Sequence, residues 1–220
     1  METIINEEGG DTSFIYYKPN FLPKEKYEEL KDWLHTNPNY KGGISFNQTE
    51  IPREQIWYQE EEKYFSKNWN GRIPRWESCS YDDYLKGFQP YIQDQINKLE
   101  LNYELHKPRF NSFLINKYRN GNDSIKPHRD NMDSFGEEPT VAVLSVGEIR
   151  NIELKRIKYN KENLNSIKAD KTKQYLNQTI PLEPNSLFIM AGSTQKYYSH
   201  EIKKCAKKDV RYSVTIREYL

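Results

Sequence analysis

From residue 109 onward the chain breaks into short apolar runs separated by turn residues, and no other feature limits its fold as much. Phe110 to Tyr118, Thr140 to Val146, Arg150 to Tyr159, Gln178 to Leu182, Ser186 to Met190 and Val210 to Tyr219 each read as a strand. In the last run Arg211, Ser213, Thr215 and Arg217 alternate with Tyr212, Val214 and Ile216, the period of two expected of a half-buried strand. The earlier part of the chain has helical spacing instead. Tyr27, Leu30, Trp33 and Leu34 mark a helix over Pro23 to His35, with Pro23 near its start. Tyr84, Leu85, Phe88, Ile92, Ile96 and Leu99 mark a second over Asp82 to Leu99, which Pro90 is expected to divide into a turn and a helix. Helices followed by many short strands predict an α+β fold. Residues 109–220 would form a double-sheet jelly roll (a double-stranded β-helix), with residues 1–108 packed on it as N-terminal helices within one compact domain. The Lys- and Asn-rich stretch from Lys161 to Lys173 reads as a solvated hairpin loop.

A chain of 220 residues can bury a core of its own. Aliphatic residues are scarce while aromatics reach 14%, including 17 Tyr, so Tyr and Phe must build much of that core. The sequence has no apolar run long enough to span a membrane and no signal-peptide pattern at Met1 to Glu8, which leads us to expect an intracellular protein of the nucleus or cytoplasm. Cys79 and Cys205 stand far apart without CxxC spacing, an argument for a reducing compartment and against a Cys-based zinc site. The net charge of +1 means that any nucleic-acid surface would be local. Lys155, Arg156 and Lys158 form one basic cluster, and Lys203, Lys204, Lys207 and Lys208 another.

The chemistry-bearing residues are few. His128 and Asp130 stand two apart after a strand and a turn, so on an extended backbone both face the same side. His200 follows a later strand-like approach. Two imidazoles and one carboxylate, with half the coordination sphere open, describe the facial triad of a non-haem Fe(II) oxygenase. A His-x-Asp with a later His also occurs by chance in many proteins. The final strand sharpens the reading, because Arg211 and Arg217 would project to the same face as Ser213. A guanidinium fork matches a carboxylate bidentately, which suits a dicarboxylate such as 2-oxoglutarate. The alternative is an exposed edge strand carrying charge to block aggregation.

With these segments in order, the chain resembles the AlkB family of Fe(II)- and 2-oxoglutarate-dependent dioxygenases, especially its animal DNA-repair branch. The resemblance covers roughly residues 50 to 220. It rests on Pro52-Arg53, Phe113 to Tyr118 with Gly121, and His128-Arg129-Asp130. It continues through Ser145-Val146-Gly147 with Arg150, Ser186 to Met190 leading to His200, and Arg211-x-Ser-x-Thr-x-Arg217. The resemblance implies that His128, Asp130 and His200 hold Fe(II). It further implies that Asn116, Tyr118 and Arg211 hold the distal carboxylate of 2-oxoglutarate, with Arg217 and Ser213 beside the carboxylate near the metal. The implied reaction consumes O2 and 2-oxoglutarate, yields succinate and CO2, and hydroxylates an N-methyl group that leaves as formaldehyde.

The resemblance also makes Ile51 to Trp76 a nucleotide-recognition lid over a flipped base. Arg53, Trp57, Tyr58, Tyr64, Trp69, Arg72, Arg75 and Trp76 lie in it, and aromatics interleaved with arginines suit base stacking with phosphate contact. Of these Arg53, Trp57, Tyr58 and Trp69, together with Arg129, Asp133 and Tyr198, are the expected substrate contacts, and Trp57, Trp69 and Tyr198 the stacking candidates. The expected partner is nucleic acid, DNA ahead of RNA, met by a monomer. Two positions depart from the family pattern. The repair enzymes carry an acidic residue two positions after the metal-binding Asp, where this chain has Met132, with Asp133 one place later. Ser213 replaces the usual Asn, although its hydroxyl can still donate one hydrogen bond. Besides demethylation of nucleic acid, two classes stay open. One is hydroxylation of a protein or small molecule on the same scaffold; the other is a catalytically silent nucleic-acid-binding domain.

Overall fold

The computed structural model describes every residue except 8–11, 45–47, 62, 67–70, 102–107, 164–165 and 207–208, together with the side chains of residues 6 and 7. The chain runs through β1 (Glu2–Glu7), β2 (Ser13–Lys18), α1 (Lys24–Thr36), β3 (Glu54–Gln59), β4 (Cys79–Ser80) and α2 (Asp83–Asn97). It continues with β5 (Ser112–Tyr118), β6 (Ile125–His128), the single turn α3 (Met132–Phe135), β7 (Val141–Gly147), β8 (Arg150–Arg156) and β9 (Gln178–Leu182). Last come β10 (Ser186–Gly192), the single turn α4 (Thr194–Tyr197), β11 (Tyr198–Ile202) and β12 (Arg211–Arg217). An eight-stranded sheet, in the order β1-β2-β10-β7-β12-β5-β3-β4, faces a four-stranded sheet ordered β6-β11-β8-β9. Apart from the parallel β3–β4 pair, the paired strands of both sheets run antiparallel. This is the jelly-roll class expected from the strand pattern.

The large sheet is covered on both faces, and the alternation along its strands follows from that. Leu30 and Leu34 of α1 and Leu85, Phe88, Ile92 and Ile96 of α2 pack on one face against Leu144, Ile189, Tyr212, Val214 and Ile216. On the other face Val141, Phe188 and Met190 meet Ile152, Leu154, Ile180 and Leu182 of the small sheet. Strand β10 is therefore buried on both sides, which is why Leu187 to Ala191 reads as a continuous apolar run. Tyr and Phe supply much of this interior, as the composition requires.

Two expectations need correction, and one alternative falls away. The boundary near residue 108 does not separate helices from sheet, because β1, β2, β3 and β4 all belong to the large sheet. These strands escaped notice for two reasons: β2 is apolar on both faces and lacks alternation, and the edge strand β1 is irregular between Thr3 and Ile5. Pro90 does not divide the second helix, which runs unbroken through it. Proline removes one donor, and burial of Leu85, Phe88, Ile92 and Ile96 offsets that loss. Finally, the edge-strand alternative for residues 211–217 is excluded, since β12 lies between β7 and β5.

One glycine fixes how β12 enters the sheet. Gly147 ends β7 opposite Arg211 with φ +87°, and a Cβ there would lie 2.5 Å from the Val210 carbonyl oxygen. Both strain and overlap oppose a side chain, so Gly147→Ala is expected to destabilise the fold by more than about 1 kcal/mol. Urea unfolding checks this, and an unchanged midpoint would contradict it.

Candidate active site

A cavity of about 1120 Å³ is lined by residues of both sheets. His128 closes β6 and His200 lies within β11, and the antiparallel register places the two residues opposite each other. Their ring centroids are 4.2 Å apart. Asp130 lies two residues past the end of β6, and the ligating atoms of all three residues fall within 4.8 Å of one another. The His128 Nδ1 lies 2.9 Å from the Lys126 carbonyl oxygen. Donation through Nδ1–H leaves Nε2 as the ligating atom.

The charge state suits a cation. Burial, reinforced by neighbouring His128, pushes the His200 imidazole down to about 3. Burial likewise lowers His128, so both rings are held in the neutral, ligating form. Burial alone would raise the Asp130 carboxyl, but the charge of the buried Arg217 beside it outweighs burial and holds the group below the usual carboxylate range. An ion pair of 3.3 Å joins Asp130 Oδ2 to Arg217 Nη1, with Arg217 buried. Among the described residues, the buried His200 Nδ1 has no hydrogen-bond partner, and Asp130 Oδ2 none beyond that ion pair. Two neutral imidazoles and an ionised carboxylate, in reach of one point, fit a divalent metal.

Arg211, Ser213, Thr215 and Arg217 all face this cavity from β12, as their alternation predicts. Asn116 and Tyr118 face it from β5, in register with Ser213 and Arg211. Arg211 is 1% exposed, and its Nη2 donates to Ser145 Oγ at 3.0 Å. Its Nε and Nη1 are buried without partners, and among the described residues no carboxylate pairs with it. Burial lowers its pKa to about 10. The contrast with Arg150 is instructive, since both guanidiniums stack on Tyr118, at 5.5 and 5.3 Å. Arg150 donates to the carbonyls of Asn120, Asp123 and Lys203. Arg150 is thus satisfied by the protein, whereas Arg211 lines the cavity with two buried donors that have no hydrogen-bond partner among the described residues, as a carboxylate-binding fork requires. Asn116 is itself held, its Oδ1 accepting from Arg53 Nε at 2.9 Å.

The structure divides the expected substrate contacts. Arg53, Arg129 and Asp133 line the cavity, Asp133 exposed at its rim beside Met132. Trp57, Tyr58 and Tyr198 do not. Trp57 is 1% exposed, donates to Ser112 Oγ and packs on Phe65, Trp76 and Tyr219. Tyr58 turns to the helix face, where Asn37 donates to its hydroxyl. Tyr198 is fully buried between the sheets. These are corrections: strand alternation points each ring into a core. Trp69 lies outside the described residues. The aromatic wall of the cavity is Phe65 and Trp76 instead, joined by Leu114 and Met132. Of the basic clusters, Lys155 is paired with Glu201, Lys203 with Glu153, and Arg156 is buried over Tyr197, so only Lys204 of the described members lines the cavity. Lys207 and Lys208 lie outside the described residues. Gln195 and Ser145 were not among the expected site residues; each meets one through a long-range hydrogen bond, Gln195 Oε1 accepting from the Asp130 N–H and Ser145 Oγ from Arg211 Nη2.

Comparison with known proteins agrees with this geometry. The 2OG-Fe(II) oxygenase superfamily model matches residues 14–217. Alpha-ketoglutarate-dependent dioxygenase alkB homolog 3 of Homo sapiens is 31% identical over 166 residues, covering 75% of this chain and 54% of that protein. The chain thus spans about half the length of that relative. DNA oxidative demethylase ALKBH2 of Arabidopsis thaliana is 31% identical over 225 residues, covering 94% of the chain and 67% of the relative. Among solved structures, OsALKBH1 superposes with a TM-score of 0.55 at 12% identity, covering 93% of this chain and 97% of that one. A prolyl hydroxylase from Trichoplax adhaerens, solved with a hypoxia inducible factor peptide, gives 0.53 at 14% identity over 94% of this chain and 83% of its own. At such identities the two structures establish the shared fold. The chain belongs to the 2OG-Fe(II) oxygenase superfamily and, within it, to the AlkB family, whose dioxygenases require Fe(II), 2-oxoglutarate and O2.

Proposed function

We propose that this protein is an Fe(II)- and 2-oxoglutarate-dependent dioxygenase that oxidatively demethylates alkylated bases in nucleic acid, DNA ahead of RNA. The observation that carries the reading is the pairing, in one cavity, of the His128–Asp130–His200 cluster with a buried Arg211 that has two open donors. His128, Asp130 and His200 would hold the metal; Arg211, with Asn116 and Tyr118, would hold the distal carboxylate of 2-oxoglutarate, and Ser213 and Arg217 would border the proximal one. Bound Fe(II), with 2-oxoglutarate and O2, supplies the oxidising power that hydroxylates an N-methyl group, which then leaves as formaldehyde. The protein supplies orientation, neutral ligating imidazoles and a water-excluding wall.

The walls favour a polyanionic substrate with flat rings. Beyond the residues assigned to metal and cosubstrate, Arg53, Lys126, Arg129 and Lys204 line the cavity against, among the described residues, only Glu50 and Asp133, and Glu50 is engaged by Arg119. Trp76 and Phe65 line the cavity and would form the aromatic wall against a flipped base. The relative named as a DNA oxidative demethylase supports the same reading. Met132 lines the cavity where repair enzymes carry an acid, and this keeps hydroxylation of a protein or small molecule as the second reading. No helix among the described residues is long and apolar enough to cross a membrane.

The test is formaldehyde and succinate release from methylated oligonucleotides, methylated nucleosides and peptide pools, each with and without 2-oxoglutarate. Formaldehyde from oligonucleotides alone is expected. Succinate formation stimulated by peptides, with none from oligonucleotides, would overturn the proposal and promote the second reading.

A further inference from the structure

We infer that Gln195 is a positioning residue for the metal-binding carboxylate, and that the single turn α4 is the anchor through which it acts. The inference rests on the metal reading above. Strand β6 ends at His128, so the backbone of Asp130 is outside any sheet ladder. Its N–H is satisfied by a side chain far along the chain, the Gln195 Oε1 at 2.9 Å. Gln195 is fully buried, and its Nε2 lies 3.7 Å from Met190 Sδ, a weak acceptor that fixes which way the amide faces. The oxygen is thus directed to Asp130 by the poverty of the alternative.

The turn that carries Gln195 is itself tied down. Ser193 N–H donates to the Thr12 carbonyl at 2.8 Å, and the Thr194 hydroxyl bonds the Ala191 carbonyl at 2.5 Å. Ser193 Oγ donates to Glu138 at 2.8 Å, and Lys196 pairs with Glu137 and Glu138. The carbonyls of Gln195 and Lys196 accept from Arg129 Nη1 at 3.4 and 3.3 Å. One short turn therefore holds both residues that follow His128, Arg129 by its guanidinium and Asp130 by its backbone. Asp130 is then gripped from two sides, its carboxylate by Arg217 and its N–H by Gln195. Loss of the second grip frees the backbone dihedrals that aim the carboxylate at His128 and His200, without removing any ligand. Partners that orient metal ligands in this way are worth about 10–100-fold in metal affinity.

The experiment is anaerobic titration of the full chain with Co(II) alone, followed by the visible absorption of the bound ion, with thermal unfolding of the metal-free proteins in parallel. Gln195→Met keeps length and burial but removes the acceptor; Gln195→Glu keeps an acceptor oxygen at the same reach. The expected result is a Co(II) dissociation constant raised about 10-fold or more in Gln195→Met and returned toward the parental value in Gln195→Glu. Parental affinity in folded Gln195→Met, or equal losses in both variants, would overturn the inference. Should Gln195→Met fail to fold, Gln195→Asn, whose amide is one methylene short of Asp130, takes its place under the same criterion. His128→Ala is the control: if it binds Co(II) as the parent does, the metal reading itself falls, whereas a loss there with no effect at Gln195 refutes only the positioning role.

Discussion

Replacing His128 by alanine is expected to abolish 2-oxoglutarate turnover, by at least about 100-fold, while leaving the fold intact. The expectation combines two observations. His128 contributes one of three ligating groups within 4.8 Å, and with two protein ligands left the site cannot hold the metal in productive geometry. The ring is also half-buried and neutral, so its loss strands no charge and should cost about 1 kcal/mol or less. Asp130→Ala removes a ligand too, but its consequences differ. Arg217, 2% exposed, would keep its charge and lose the 3.3 Å ion pair. Breaking a buried pair from one side costs about 3–5 kcal/mol, so this variant should lose both turnover and stability. Succinate formation and urea unfolding on the two proteins separate the effects. Parental turnover in purified His128→Ala would remove the metal assignment; equal stabilities would show that Arg217 does not depend on Asp130.

The strand that lines the cavity was easier to read in the sequence than the N-terminal strands around it, for a physical reason. Period-two alternation in residues 211–217 carries its own meaning, because one face had to be apolar and the other had to hold Arg211 and Arg217. The spacing of His128 and Asp130 was legible in the same way, although the chain leaves the strand between them and Gln195 must restore what the ladder no longer supplies. The N-terminal strands were illegible because β2, paired with β10 and covered on both faces, carries no alternation. Trp57 and Tyr198 were misplaced by a different failure. Large rings beside arginines read equally well as stacking platforms or as core, and only the register of β3 and β11 decides between the two. What no single sequence could supply is the partner of each polar group: Arg150 and Arg211 look alike in the chain, yet one is satisfied by three carbonyls and the other is not.

That difference sets the second large effect. Arg211→Ala is expected to raise the apparent dissociation constant for 2-oxoglutarate by about 30-fold or more, from the loss of a buried charge-assisted pair of order 2–5 kcal/mol at about 1.4 kcal/mol per tenfold. The same substitution should leave the ligand-free protein no less stable in proportion. Arg211 is buried with its pKa lowered to about 10, which records a charge desolvated without a protein carboxylate to compensate it. Removing that charge relieves a desolvation penalty even as it opens a cavity beneath Tyr118, so the two terms oppose each other. Arg150→Ala should behave in the opposite sense. It would strip three carbonyls of their donor, lowering stability first and cosubstrate affinity only through the loosened loop. Isothermal titration with 2-oxoglutarate and Mn(II) in place of iron, beside unfolding of the ligand-free variants, distinguishes the two arginines. An unchanged 2-oxoglutarate constant in Arg211→Ala would place the dicarboxylate elsewhere in the cavity and leave the open donors of Arg211 without a ligand.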